Sequence, residues 1–217
     1  MKITIPRLNQ TVVNAADIPA VLQGAGLVYH PIENVNWPES FPYKPKVEFA
    51  AAHTGQALLL HYRVEEQSVR AVARHDQENI WEDSCVEFFC MPSDDGIYYN
   101  VECNCAGKLL LAAGKDRNNR TPAPQNVTDN IGRWASLGSE PFDTRLGPVR
   151  WELALSLPVS IFFRHDFRDF GGLQAAGNVY KCGDRLPVPH FISWSPISTA
   201  TPDFHRPDFF APMLFGK

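Results

Sequence analysis

Along this chain, apolar and polar positions alternate with a period of two far more often than with the 3.6 of a helix. Residues 85–91, CVEFFCM, are strand formers interrupted by one charge, Glu87. The turn Pro92-Ser93-Asp94-Asp95-Gly96 follows, and residues 97–105 alternate again, so two strands meet across a polar turn. Residues 47–52 and 57–65 read as a second hairpin around His53-Thr54-Gly55, with Leu58, Leu60, Tyr62 and Val64 on one face and Leu59, His61 and Arg63 on the other. Further strands are predicted at 69–74, 108–113, 131–137, 149–157, 177–183 and 190–195. Residues 1–16 read as an extended lead-in, and 17–22 as a short helix capped by Asp17 and ended by Gly24 and Gly26. Pro38, Pro42 and Pro45 exclude helix and central strand from 35–49. That piece should wrap the outside of a sheet, with Trp37, Phe41 and Tyr43 plugging its edge. Residues 114–130 read as a long polar, mobile loop, 160–167 as helix or loop, and the Pro- and Phe-rich tail as a seal on the core. About ten short strands with so little helix predict an all-β fold, a two-sheet antiparallel β-sandwich of jelly-roll type with minor helix.

Composition changes this picture little. A chain of 217 residues is expected to form one domain, 1–217, with a core large enough to need no disulfide or metal. A net charge of −4 and the absence of a basic run give no case for nucleic acid or an anionic membrane. No stretch is long enough to span a bilayer, and the start MKITIPRLNQ lacks the apolar core of a signal peptide. A cytoplasmic protein is therefore expected, the alternative being a secreted or periplasmic one whose leader has been removed. Five cysteines are an odd number, and Cys103 and Cys105, two apart on one strand face, cannot readily bridge each other. Free thiols in a reducing compartment are the simplest reading.

The candidate chemistry centres on Glu87. A carboxylate inside a strand is costly to bury unpaired, so it should point away from the core. Trp81 stands six residues before it. An indole beside a carboxylate suits sugar recognition, because the ring offers a flat apolar face and the acid accepts hydrogen bonds from hydroxyls. Trp81, Glu87 and Trp194 together form a candidate sugar clamp; otherwise both tryptophans are core plugs and Glu87 pairs with an arginine. Asn104, Lys108 and Lys181 complete the candidate set. Lys181, Asp184 and Arg185 form either a salt-bridged loop or part of a ligand rim. Cys182, His190 and Asp184 resemble a thiol-catalysis set, but no helix N-terminus activates Cys182, so a buried structural thiol is expected. No transition-metal spacing is present. Glu87, Glu102 and Glu152 all fall in predicted strands, so a glycosidase carboxylate pair is the alternative, as is a protein-docking sheet face.

Taken in order, WEDSCVEFF, YYNVECNCAG, WELALSLP, NVYKCGD, PHFISWSPI and FHRPDFF resemble the family 9 carbohydrate-binding modules, closest to stand-alone bacterial members. The resemblance runs from residue 35 to the C-terminus. It implies a jelly-roll sandwich that can bind structural calcium, and non-catalytic binding of glucan- or xylan-type oligosaccharide ends in polysaccharide catabolism. Two tryptophans would hold the sugar: Trp81 with Glu87 matches the first by motif and spacing, and Trp194 the second by position alone. A basic partner would fall at Lys108. A chain read as a single domain, without an attached catalytic one, is expected to depart from the setting of the xylanase-borne members, as do the cysteines in the strand pair.

Overall fold

The computed structural model describes residues 1–10, 12 and 14–217; Thr11 and Val13, within the expected lead-in, lie outside the described residues. In chain order the strands are β1 (Ile3–Ile5), β2 (His30–Pro31), β3 (Asn34–Val35), β4 (Lys46–His53), β5 (Ala57–Ala71), β6 (Cys85–Met91) and β7 (Tyr98–Asn104). They continue as β8 (Leu109–Gly114), β9 (Thr121–Pro122), β10 (Gly132–Ala135), β11 (Phe142–Pro158), β12 (Gln174–Cys182), β13 (Phe191–Ser193) and β14 (Ala211–Phe215). Two short helices, α1 (Ile18–Gly24) and α2 (Gln125–Thr128), complete the frame.

The strands form two open sheets, as the alternation predicts. One runs β1-β14-β12-β6-β7-β8-β9, with β13 and β3 added beside β12; the other runs β10-β11-β5-β4-β2. Neighbours are antiparallel except β1 and β14, which run parallel. Period-two alternation decides what lies between the sheets. Leu58, Leu60, Tyr62 and Val64 of β5 meet Val86 and Phe88 of β6, Val101 of β7 and Val179 of β12 there, all almost fully buried. Each such side chain contributes about 1.5–3 kcal/mol through burial.

Several elements differ from the sequence reading. Residues 69–74 are not a separate strand, because β5 runs on to Ala71 and pairs along its length with β11. Two bulges in β11, between Phe142 and Arg145 and between Leu146 and Val149, keep that long ribbon in register. Asp17 makes no side-chain cap; the side chain of Asn14 accepts from the Ala16 amide and caps the turn before α1. Residues 114–130 carry β9 and α2 and are tied down by Arg120.

The outer face of the nine-stranded sheet is covered rather than open. Tyr98, Phe89, Tyr180, Cys182 and Ile80 form a second apolar layer there with Trp37 and Phe204. The proline-rich segment supplies part of this cover, as expected: the Trp37 Nε1–H donates to the Thr199 carbonyl at 2.8 Å, and Phe41 stands edge-on to Phe191. The tail seals the main core through Met213 and Phe215. All five cysteines are free and buried.

Candidate functional site

The covering layer is incomplete. It leaves a cleft of about 470 Å³ above β6, β7 and β8, within the range of roughly 300–1,000 Å³ usual for ligand sites. Its floor is set by strand register. Glu87 on β6 lies directly opposite Glu102 on β7, and Cys182 on β12 lies opposite Cys85 on β6. Alternation places Asn100 and Glu102 on the cleft face, while Tyr99, Val101 and Cys103 fill the core.

Trp81 stands at the edge of the floor, half-buried, on the 3-10 turn Ile80–Glu82 that leads into β6. Asp83 fixes that turn to the sheet. Its carboxylate accepts from the Val72 and Ala73 amides and from Asn104 Nδ2, and pairs with Arg70 at 3.2 Å. The Trp81 carbonyl in turn accepts from the Asp184 amide at 3.2 Å, so the indole and the Asp184 carboxylate are held on neighbouring segments.

Arg117, Arg120, Asp203, Phe204 and His205 line the opposite wall. Arg120 organises it, lying over the Tyr98 ring at 4.1 Å and donating to Asn100 Oδ1 and to the Tyr98, Ala112 and Asp116 carbonyls. The Asn100 amide, oriented by that guanidinium, donates to Glu102 Oε1 at 2.8 Å. Tyr98 Oη shares a 2.9 Å hydrogen bond with His205 Nδ1. Phe204 stacks on Tyr180 with centroids 4.1 Å apart.

The electrostatics of the floor are unusual. Burial, and then the facing Glu102, hold the Glu87 carboxyl well above the usual range. Burial pushes Glu102 up to about 7, and burial with Glu82 nearby pushes Asp184 up to about 6. The Cys182 thiol, also raised by burial, donates to Glu87 Oε1 at 3.1 Å. Burial and the two arginines lower His205 to about 3, so its ring is neutral.

Of the candidate sugar-site set, the structure brings Trp81 and Glu87 to the cleft, and Asp184, read as salt-bridged loop or ligand rim, lines it too. Trp194 is 3% exposed and lies between the sheets, edge-on to Phe49, so it cannot stack on a ligand. Lys181 points the opposite way from its neighbours Tyr180 and Cys182. Fully buried, it reaches Glu66 at 2.9 Å and His190 at 2.7 Å inside the sandwich. Asn104 is spent on structure: besides bonding Asp83, its Oδ1 accepts from the Ala106 and Lys108 amides around Gly107, whose φ of +82° suits glycine. Lys108 lies in that turn, outside the cleft lining. The sequence reading missed Asn100 and Arg120, and named Glu102 only as a candidate glycosidase acid. The alternation of YYNVEC, read from Glu87 across the hairpin, was the available signal for placing Asn100 and Glu102 at the cleft.

Among the described residues, Cys85, Glu87 and Cys182 are the one group of three metal-ligand side chains whose donor atoms converge. Two thiols and one carboxylate do not fit calcium, which takes about six to eight oxygens. Among the described residues no helix is long and apolar enough to cross a membrane.

The family described as Carbohydrate-binding family 9 matches residues 16–215. A crystal structure of a Bacteroides uniformis protein assigned to carbohydrate binding is 47% identical, with a TM-score of 0.96 over 99% of this chain and 98% of that one. A family 9 module of Caldicellulosiruptor kristjanssonii in complex with cellotriose shares the fold at 10% identity, with a TM-score of 0.59 over 100% of this chain and 94% of that one. Its complex with glucose gives a TM-score of 0.57 at 10% identity, over 99% and 97% of the two chains. Comparison with curated proteins finds no match. The sheet order, the cleft over β6 and β7, and the match across residues 16–215 lead to one assignment: the chain belongs to carbohydrate-binding family 9.

Proposed function

We propose that the chain is a non-catalytic carbohydrate-binding module whose ligand enters the cleft over β6, β7 and β8. The observation that carries this reading is a half-buried indole, Trp81, beside a floor of buried polar side chains. A sugar ring stacks its apolar face on Trp81, and Glu87, Glu102, Asn100 and Asp184 exchange hydrogen bonds with its hydroxyls. A carboxyl accepts through its oxygens and, when it carries a proton, also donates, which suits hydroxyls that do both. The polar floor lies under a partial roof of Phe204 and Phe191, where hydrogen bonds are exchanged in a low-dielectric setting.

The carboxylates favour binding over hydrolysis. A glycosidase places its two acids on either side of the scissile bond. Here Glu87 and Glu102 are direct cross-strand neighbours on one floor. The third candidate, Glu152, lies on the other sheet, against His61 at 2.8 Å.

The test is calorimetric titration with glucose and cellotriose, the sugars held by the structural relatives. Affinities of about micromolar to millimolar are expected. Trp81→Ala should weaken binding about tenfold or more, the scale of a lost aromatic contact. Thermal melting should change little, because the ring is at the rim. An unchanged titration in the variant would remove the indole, and with it this reading of the cleft.

A further inference from the structure

We propose that the cleft selects a sugar bearing a free amine, a hexosamine, with its ammonium seated between Glu102 and Glu87. This deepens, and rests on, the carbohydrate-binding reading. Three acids, Glu87, Glu102 and Asp184, line one cleft, and none takes part in an ion pair among the described residues. Two of them face each other directly across adjacent strands, a placement that repels unless a cation or a proton sits between.

The nearby cations are committed elsewhere. Arg120 spends its donors on Asn100 and three backbone carbonyls and covers the Tyr98 ring. Arg117 reaches Asp203 at 3.7 Å. Lys181 is on the far face of β12, paired with Glu66.

A second observation points to a ligand. Glu102 is only 4% exposed, lines the cleft, and its Oε2 has no hydrogen-bond partner among the described residues. Its Oε1 is already taken by Asn100. A buried polar atom without a partner is costly, and a ligand donor reaching it recovers that cost. A neutral hydroxyl would supply a hydrogen bond but no charge. An ammonium supplies up to three donors and a positive charge, and so answers both the orphaned oxygen and the facing acids. N-acetylation removes the charge and two of the donors, so an N-acetylated sugar should lose the advantage.

The experiment titrates the full chain at neutral pH with D-glucosamine, D-glucose and N-acetyl-D-glucosamine. Glucosamine should bind about tenfold tighter than glucose or more, the worth of one charge-assisted hydrogen bond. In Glu102→Gln that ratio should fall towards one, the ratio and not either affinity being the readout. Asp184→Asn, on a loop where the fold is not at risk, should reduce the ratio partially. Equal affinity for glucosamine and glucose, a preference for the N-acetyl sugar, or a ratio untouched in Glu102→Gln would each overturn the amine reading while leaving sugar binding in place. Failure of all three sugars to bind would overturn both.

Discussion

Glu102 is a carboxyl held without a counter-ion beneath aromatic rings, and its titration should be visible in the stability of the protein. Burial moves it from 4.5 to about 7, so the folded chain binds this proton more tightly than the unfolded chain does. The resulting stabilisation is complete below about pH 4.5 and is lost as the pH rises through about 7. A shift of that size corresponds to about 3 kcal/mol. Glu87 and Asp184 are raised as well and act in the same direction. Glu102→Gln cannot titrate, so urea denaturation should show the variant gaining on the wild type by up to about 3 kcal/mol between about pH 5 and pH 8. Identical pH slopes for the two proteins would mean that this carboxyl is not held protonated. That Trp81 and Glu87 line one cleft was legible in the sequence because the signal is local, a charge interrupting a run of strand formers and an indole just ahead of it, whereas the burial of Glu87 beneath a covering layer was not. Trp194 was not legible, since an aromatic near the end of a chain reads the same whether it packs on Phe49 or on a sugar.

At the scale of elements, register decides which residues meet. Alternation along β12 sends Tyr180 and Cys182 outward and Lys181 inward. The same parity along β5 carries Glu66 inward with Leu60, Tyr62 and Val64. The two buried charges meet between the sheets at 2.9 Å, the Trp151 Nε1–H donates to Glu66 Oε1 at 2.7 Å, and Lys181 Nζ donates to His190 Nε2 at 2.7 Å. Burial and the neighbouring ammonium keep His190 neutral, well below its usual range. The sequence displayed Lys181 as one charge in a mixed loop-and-strand segment. Its partner lies 115 positions away on another sheet, and no pattern within one segment reports that pairing. Breaking such a pair costs more than forming it contributes, because one charge is left buried alone. Lys181→Met should therefore destabilise the protein by about 3–5 kcal/mol in urea denaturation, while Lys181→Met with Glu66→Leu should recover much of the loss. A double variant no more stable than the single one would show that the pair supplies net stability instead of compensating its own burial.

On the scale of the whole molecule, one sheet supports and the other presents. The five-stranded sheet backs the core and is capped outside by α1, through Ile18 and Leu22 against Ala50, Ala52 and Leu59. The nine-stranded sheet carries the cleft, whose walls come from segments far apart in sequence, near residues 81, 117–120, 184 and 203–205. These segments are pinned individually: Trp81 through its carbonyl, Arg120 through its guanidinium, and the segment of Phe204 through its carbonyl, which accepts from Tyr180 Oη at 3.1 Å. A floor of paired strands beneath separately anchored walls keeps the ligand's contacts on one sheet. Saturating sugar should therefore slow amide hydrogen exchange locally, at 81–84, 117–120, 182–185 and 203–206, by suppressing local openings. Any slowing in β4, β5 and α1 should be uniform across them, set only by the ligand's stabilisation of the folded state against global unfolding, since the ligand does not touch that face. Protection that instead gathered on the outer face of the five-stranded sheet, around Tyr29, His61 and Trp134, would place the ligand on the wrong side of the sandwich and overturn the assignment of the cleft.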